Sequence, residues 1–251
     1  MKSRPHSTRW WWRMLAAIAI VVVALLIARS PSVSPVPDRV SSSATPSAGD
    51  VELYTVFVEA EGDAVERMTG TVEEVTDGDT VVLRGGRTVR HLGIDAPERM
   101  TPRYEESRAL NRQLVEGREV VLFTPRAKGR DRFSRRLAAV FVESDHSPPG
   151  SSDPVCVNTH LVAGGMALIY IKDDDVSRTL FQPLLLAQNQ ALDRGTGIWS
   201  ASVPPRTEKV LLTRNRFHRP RCHHVSGRRR PIDTREKALR AGKSPCRTCK
   251  L

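Results

Sequence analysis

Two glycine turns a few residues apart constrain this chain more than any other feature. Residues 71–75 and 80–83 are short runs rich in β-branched residues, separated by Asp77-Gly78, and a second turn, Gly85-Gly86, leads into a third run at 87–94. Such turns supply the backbone freedom that a tight hairpin needs, so three successive antiparallel strands are expected. Further strands are expected at 120–123 and 137–142, with a charged loop at 128–136 between them. Helices are expected at 102–116, where Leu110 and Leu114 stand four apart and Gly117 ends the run, at 158–164, and at 182–194. In the last of these, Pro183 fits the first turn and Gly195 the exit. Short strands followed by helices predict an α+β chain, a small β-barrel with packed helices. Periodicity alone does not decide which kind of barrel.

The ends of the chain read differently from its middle. Lys2, Arg4, Arg9 and Arg13 precede an uncharged apolar run at 14–28, with Trp10, Trp11 and Trp12 at its near edge. Basic residues stay on the cytoplasmic side of a membrane, and tryptophans favour its interface. The run is shorter than the ~20 residues of a typical spanning helix and lies in the range of a signal-peptide core. Ala28 is followed by Arg29, Ser30 and Pro31, with no small-x-small cleavage pattern at once. An uncleaved anchor and a cleaved signal both remain open for residues 1–29. Either way the rest of the chain is expected outside, anchored at the membrane and facing outward, or secreted. Residues 30–50, rich in Ser, Pro, Ala and Thr, read as a linker that buries too little apolar surface to order itself.

The formal charge of +11 is concentrated at the two ends. Residues 206–251 hold 15 Lys/Arg against 3 Asp/Glu, whereas residues 51–205 hold 18 against 23. That division excludes a uniformly basic coat for nucleic acid and leaves a cationic tail able to collect polyanions by counterion release. The expected organisation is therefore 1–29, 30–50, a globular domain at 51–205 and a basic module at 206–251.

The central domain gathers its acids and arginines in three places: Asp77-Gly78-Asp79-Thr80 at a turn, Arg90 to Glu98 where a strand runs into a turn, and Asp131 to Leu137 where a loop enters a strand. Carboxylates at strand ends can converge on a hard cation, which takes oxygen ligands. An arginine on each side can grip a phosphate and offset its developing charge, and a further carboxylate can accept a proton from water. Each element alone is equally an ordinary turn acid or a solvated arginine.

Together and in this order, these residues resemble staphylococcal nuclease and its relatives. The resemblance runs from about Thr69 to Trp199 and includes Val157-Asn158, Leu161-Val162 and the closing Gly197-Ile198-Trp199. It implies an OB-fold barrel with helices packed against it and calcium-dependent hydrolysis of DNA or RNA phosphodiesters. By the resemblance, Asp79 and Asp95 would give carboxylate oxygens to calcium and Ala96 its backbone carbonyl. Glu98 would position or deprotonate the attacking water, and Arg90 and Arg135 would hold the scissile phosphate. Asp77 would support the turn. The family's founding member has threonine at the position of Ala96 and tyrosine at that of Phe133, and its base-stacking aromatics have no clear equivalents here. A non-catalytic nucleic-acid-binding module of nuclease-like fold is the alternative, though no charged catalytic residue is missing.

Of the four cysteines, Cys156 stands alone and three lie in the tail, in the pattern His218-x3-Cys222-x23-Cys246-x2-Cys249. One imidazole and three thiolates suit zinc in a closed structural site, and metal ligation can supply folding energy to a tail with little core. Disulfides are the rival in an exported chain, but three cysteines cannot pair fully without Cys156. His223 and His224 compete with His218 for the nitrogen ligand. Phe217 to Cys222, Arg235 to Gly242 and Pro245 to Cys249 resemble the Ada-type zinc domain, with His218 where that domain's methyl-accepting cysteine stands, so methyl transfer is not implied. The expectation is a small zinc module that aids DNA binding or simply caps the chain.

Overall fold

The hairpin signals lie at real turns, but the strands reach well beyond their apolar centres. The computed structural model describes residues 48–143, 153–171, 175–200, 207–225 and 231–249. Strand β1 (Val65–Asp77) pairs antiparallel with β2 (Thr80–Leu83) through its second half and with β5 (Glu119–Pro125) through its first. Two register shifts, between Val72 and Glu74 and between Val75 and Asp77, lie within the half that pairs with β2. Bulges of this kind bend a strand and increase its twist, which helps a sheet close on itself. Strand β3 (Arg87–His91) pairs with β2, β6 (Arg136–Glu143) pairs with β5, and β3 and β6 run parallel to close the sheet. The order β1-β2-β3-β6-β5, returning to β1, is a closed five-stranded barrel of the OB type, so the expected fold is the observed one.

The closing pair also positions chemistry. Its register sets Val89 opposite Arg136 and Arg90 opposite Leu137, bringing the end of the charged 128–136 loop beside the arginine of β3. The third expected strand is broken in two. Gly93 takes a φ of +79°, where a Cβ would be strained, and the chain re-enters sheet structure as β4 (Ile94–Asp95) against β8 (Leu168–Ile169).

Helices cover the barrel. Helix α2 (Tyr104–Val115) is tied to the end of β1 by polar side chains: Arg108 donates to the carbonyl of Val75 at 3.2 Å and Asn111 to that of Asp77 at 2.9 Å. Strand β7 (Pro154–Cys156) lies beside β6 and runs directly into α3 (Val157–Ala163). The buried Asn158 there donates to the Leu92 carbonyl at 2.8 Å and accepts from the Val140 amide at 2.9 Å. It thus spans the break after β3. Helix α4 (Asp175–Arg194) is longer than expected, and Pro183 lies inside it rather than in its first turn. The helix bond lost at the proline is tolerated because Leu180, Leu184, Ala191 and Leu192 are all buried.

Helix α1 (Ala48–Glu59) begins inside the segment expected to be linker. Leu53 and Phe57 point inward, and Phe57 stacks on Phe123 with centroids 5.3 Å apart. Asp50, also buried, accepts from the Cys156 amide at 3.3 Å and the Thr159 hydroxyl at 3.1 Å. Among the described residues no helix is long and apolar enough to cross a membrane. The apolar run at 14–28 and the expected linker up to residue 47 lie outside the described residues.

The tail forms a four-stranded sheet in the order β11-β9-β10-β12, from β9 (Lys209–Leu212), β10 (Arg216–His218), β11 (Ile232–Thr234) and β12 (Ser244–Pro245). A short helix, α5 (Arg235–Arg240), is capped by Thr234, whose hydroxyl accepts from the Lys237 amide at 3.3 Å. This unit packs directly on the barrel's helices. Val210, Phe217, Ala238 and Leu239 share one buried cluster with Leu168, Ala191, Leu192 and Trp199. Gln188 of α4 joins the two polar frameworks, accepting from the Ile169 amide at 3.0 Å and donating to the Leu239 carbonyl at 2.7 Å.

Candidate functional site

The Asp77-Gly78-Asp79 turn exists in this form because residue 78 has no side chain. A Cβ there would lie 1.9 Å from Ser107 Oγ and 2.7 Å from Ala96 Cβ. The close approach lets Asp79 sink to 3% exposure between β2 and the start of the next loop. Its Oδ2 accepts from the Ala96 amide at 2.8 Å, and its Oδ1 from the Thr80 hydroxyl at 3.0 Å and from Arg90. Arg90 also donates through Nη2 to Asp95 Oδ1 at 2.6 Å and to the Ile94 carbonyl at 3.2 Å. One guanidinium therefore joins the two carboxylates expected to serve a metal. Burial works against the charge on Arg90, but Asp79 and Asp95 outweigh it and hold its pKa above the ordinary value.

The carboxylates are less settled. Burial and the neighbouring charge of Asp79 push the Asp77 carboxyl up to about 6. Burial also raises that of Asp95, against the pull of Arg90 and, from the tail, of Arg247. Two acids thus grip one arginine, and a third, Asp77, lies beside Asp79. An all-oxygen donor set with excess negative charge fits a hard divalent cation.

Arg135 arrives on a loop built by Asp131. Asp131 Oδ1 accepts from the amides of Phe133 at 2.9 Å and Arg135 at 3.0 Å, while Oδ2 takes Arg135 Nε at 2.8 Å. Ser134 adopts a left-handed φ of 62° inside this turn. Arg135 then reaches the Thr80 hydroxyl at 3.3 Å, which itself bonds Asp79. The structure so links Asp79, Arg90, Asp95 and Arg135 in one network. Glu98 is not part of it. It is exposed, at the start of a loop in which Met100 and Arg103 both have positive φ, and the Thr101 amide bonds its carbonyl at 3.0 Å.

One surface pocket has Arg90, Asp131, Phe133, Arg135, Tyr170 and Arg247 in its wall. Four of these, Asp131, Phe133, Tyr170 and Arg247, carried no assigned role in the sequence. Phe133 is 61% exposed, with the Arg132 guanidinium 4.6 Å and that of Arg135 5.3 Å from its ring centre, so its ring lies against the arginines. Tyr170 and Arg247 come from β8's exit and the cysteine tail, and only tertiary packing brings them here.

In the tail, His218, Cys222, Cys246 and Cys249 are all buried, and one ligand atom from each lies within 4.8 Å of every other. The Cys222 and Cys246 sulfurs are 4.0 Å apart, near the ~3.8 Å edge of a tetrahedron with 2.3 Å zinc–sulfur bonds and about twice a disulfide length. Burial of the Cys246 thiol is outweighed by the Thr248 and Cys249 amides, which hold its pKa below the ordinary range. Of the competing histidines, His224 bonds Thr248 at 3.0 Å and His223 lies against the His224 ring. Cys156 is a fully buried thiol, its pKa pushed up to about 12 by burial.

Residues 88–201 match the family model described as staphylococcal nuclease homologue. This part of the chain is similar to that family's domain. The match takes in Arg90, Asp95, Ala96, Glu98 and Arg135, and begins after Asp79. The chain is also similar to an uncharacterized protein of Bacillus anthracis, 29% identical over 147 residues, which are 54% of this chain and 63% of that protein. It is similar too to an uncharacterized protein of Methanocaldococcus jannaschii, 25% identical over 175 residues, 59% of this chain and 78% of the relative. The family match thus spans the barrel's later strands and helices α2 to α4, while helix α1 precedes it and the cysteine unit at 207–249 lies beyond it.

Proposed function

We propose that this protein is a calcium-dependent nuclease that hydrolyses phosphodiester bonds of DNA or RNA on the outer side of a membrane. The observation that carries the reading is Arg90 held between Asp79 and Asp95, and linked through Thr80 to Arg135. Asp79, Asp95 and the Ala96 carbonyl would hold calcium, which when bound supplies positive charge toward the anionic phosphate. Arg90 and Arg135 grip the non-bridging oxygens and offset charge as the phosphorus becomes pentacoordinate. Glu98, free in solvent, accepts the proton of the attacking water. His218, Cys222, Cys246 and Cys249 would hold a structural zinc. Export, by an anchor or a signal, rests on the charge and apolar pattern of residues 1–29.

The test is digestion of plasmid and single-stranded DNA by the full chain, with calcium and with a calcium-selective chelator, beside Glu98→Gln. Cleavage that needs calcium and drops about 100-fold or more in the variant supports the enzyme. Retention of DNA without turnover by the folded, calcium-loaded wild type would mean a binding module of the same fold.

A further inference from the structure

The cysteine unit places a cation in the nuclease pocket, and the path by which it does so can be followed bond by bond. Strand β4, which carries Asp95, pairs with β8, and the Tyr170 amide donates to the Gly93 carbonyl at 2.8 Å. From β8, the Ile169 carbonyl accepts from the Ser244 hydroxyl of β12 at 2.6 Å. The next residues are the turn from Cys246 to Cys249, closed by the Cys249 amide on the Cys246 carbonyl at 2.9 Å and moored to β10 by the Cys246 amide on the Phe217 carbonyl at 2.9 Å. Arg247 stands on that turn, with its guanidinium 5.1 Å from the centre of the Tyr170 ring. Arg216 lies 3.7 Å from the same ring centre.

The pocket's arginines differ in what already binds them. Arg90 is taken by Asp79 and Asp95, and Arg135 by Asp131. Among the described residues no carboxylate is in ion-pair contact with Arg247, which acts on Asp95 only at longer range, so its charge faces the pocket. A polynucleotide offers a phosphate at every nucleotide, and a strand whose scissile phosphate sits on Arg90 and Arg135 must lay its neighbours across the rest of the pocket.

We propose that Arg247 is a substrate-binding residue of the nuclease site, gripping a phosphate that flanks the scissile one, and that the Cys246–Cys249 turn is the frame that presents it. The cysteine unit then belongs to the site itself, beyond any general attraction of its cationic surface. This rests on the nuclease reading, and its test separates the two.

Full-chain Arg247→Ala and Arg247→Lys are compared with Arg221→Ala, which removes the same charge from an exposed position of the same unit. Substrates are a ten-nucleotide single strand and a dinucleotide with one phosphodiester. For Arg247→Ala, KM for the ten-mer rises about 10-fold with kcat within twofold, while kcat/KM for the dinucleotide stays put. Arg247→Lys recovers part of the loss, and Arg221→Ala changes KM less than twofold. Zinc content, measured in each protein, stays at the wild-type value. An Arg247→Ala protein that behaves like Arg221→Ala, or that loses kcat equally on both substrates, overturns the proposal. If the wild type does not turn over, fluorescence anisotropy of the labelled ten-mer still decides. Weaker binding in Arg247→Ala than in Arg221→Ala supports Arg247 while the nuclease reading fails, and equal binding ends both.

Discussion

Asp131 holds Arg135 through two nitrogens on a single carboxylate oxygen, Nε at 2.8 Å and Nη2 at 2.7 Å. The arginine expected to meet a phosphate therefore approaches in a set orientation, with its charge partly balanced until substrate arrives. Asp131→Ala removes both this brace and the acceptor for the loop amides. Its kcat/KM on single-stranded DNA is expected to fall about 100-fold, as when a reacting group is misplaced by about an ångström. Asp131→Asn, which keeps an acceptor oxygen, should lose less. Steady-state kinetics with circular dichroism as a fold control measures both.

Ligand identity in the tail can be tested without any activity. His218→Ala and Cys246→Ser are expected to lower zinc from one per chain toward none, whereas His223→Ala, His224→Ala and Cys156→Ser leave it unchanged. Elemental analysis after dialysis reads this directly. Zinc retained by His218→Ala and lost by His224→Ala would move the nitrogen ligand to the neighbouring histidine.

Gly78→Ala sets a Cβ against Ser107 Oγ and Ala96 Cβ, and neither can retreat without moving a helix or the loop that follows Asp95. A destabilisation of about 2–3 kcal/mol is expected, within the range for overpacking, read as a lower urea midpoint at unchanged slope. Calcium affinity should weaken with it, because the same turn seats Asp79.

His91 offers a pH signature. It is fully buried, and burial, with a push from Arg90, lowers its pKa to about 4 despite Asp79 and its bond to Asn111. The Asn111 amide nitrogen is committed to the Asp77 carbonyl, so Nε2 donates to Asn111 Oδ1. A folded pKa below the unfolded ~6.5 means stability is fully present above pH 6.5 and is lost as pH falls toward 4. Asp77, whose folded pKa is raised to about 6, acts in the opposite sense over part of this range. The difference between wild type and His91→Gln isolates the histidine. From pH 7 to pH 5 the variant should gain about 2 kcal/mol relative to wild type by urea denaturation. A difference that does not change with pH would mean His91 is not held neutral.

What could be read in advance was local. The hairpin turns, the Asp79 and Arg90 segments and the cysteine spacing each involve residues close in sequence, whose chemistry is visible in the string. Helix α1 was hidden because its apolar residues follow no single face: Leu53 and Phe57 are buried while Val51, Val56 and Val58 are exposed. Pro183 reads as a helix start because a proline marks a first turn far more often than an interior held by packing. Tyr170 and Arg247 gave no signal at all. Their place in the pocket depends on bonds such as Ser244 to Ile169, 75 residues apart.

The cluster that Leu168, Ala191, Leu192 and Trp199 form with Val210, Phe217, Ala238 and Leu239 has a practical consequence. A chain cut at residue 205 would bare one half of that cluster to water, leaving an oily scar on the barrel's helices. Such a fragment should self-associate, and the excised tail could not be grafted elsewhere as an interchangeable tag.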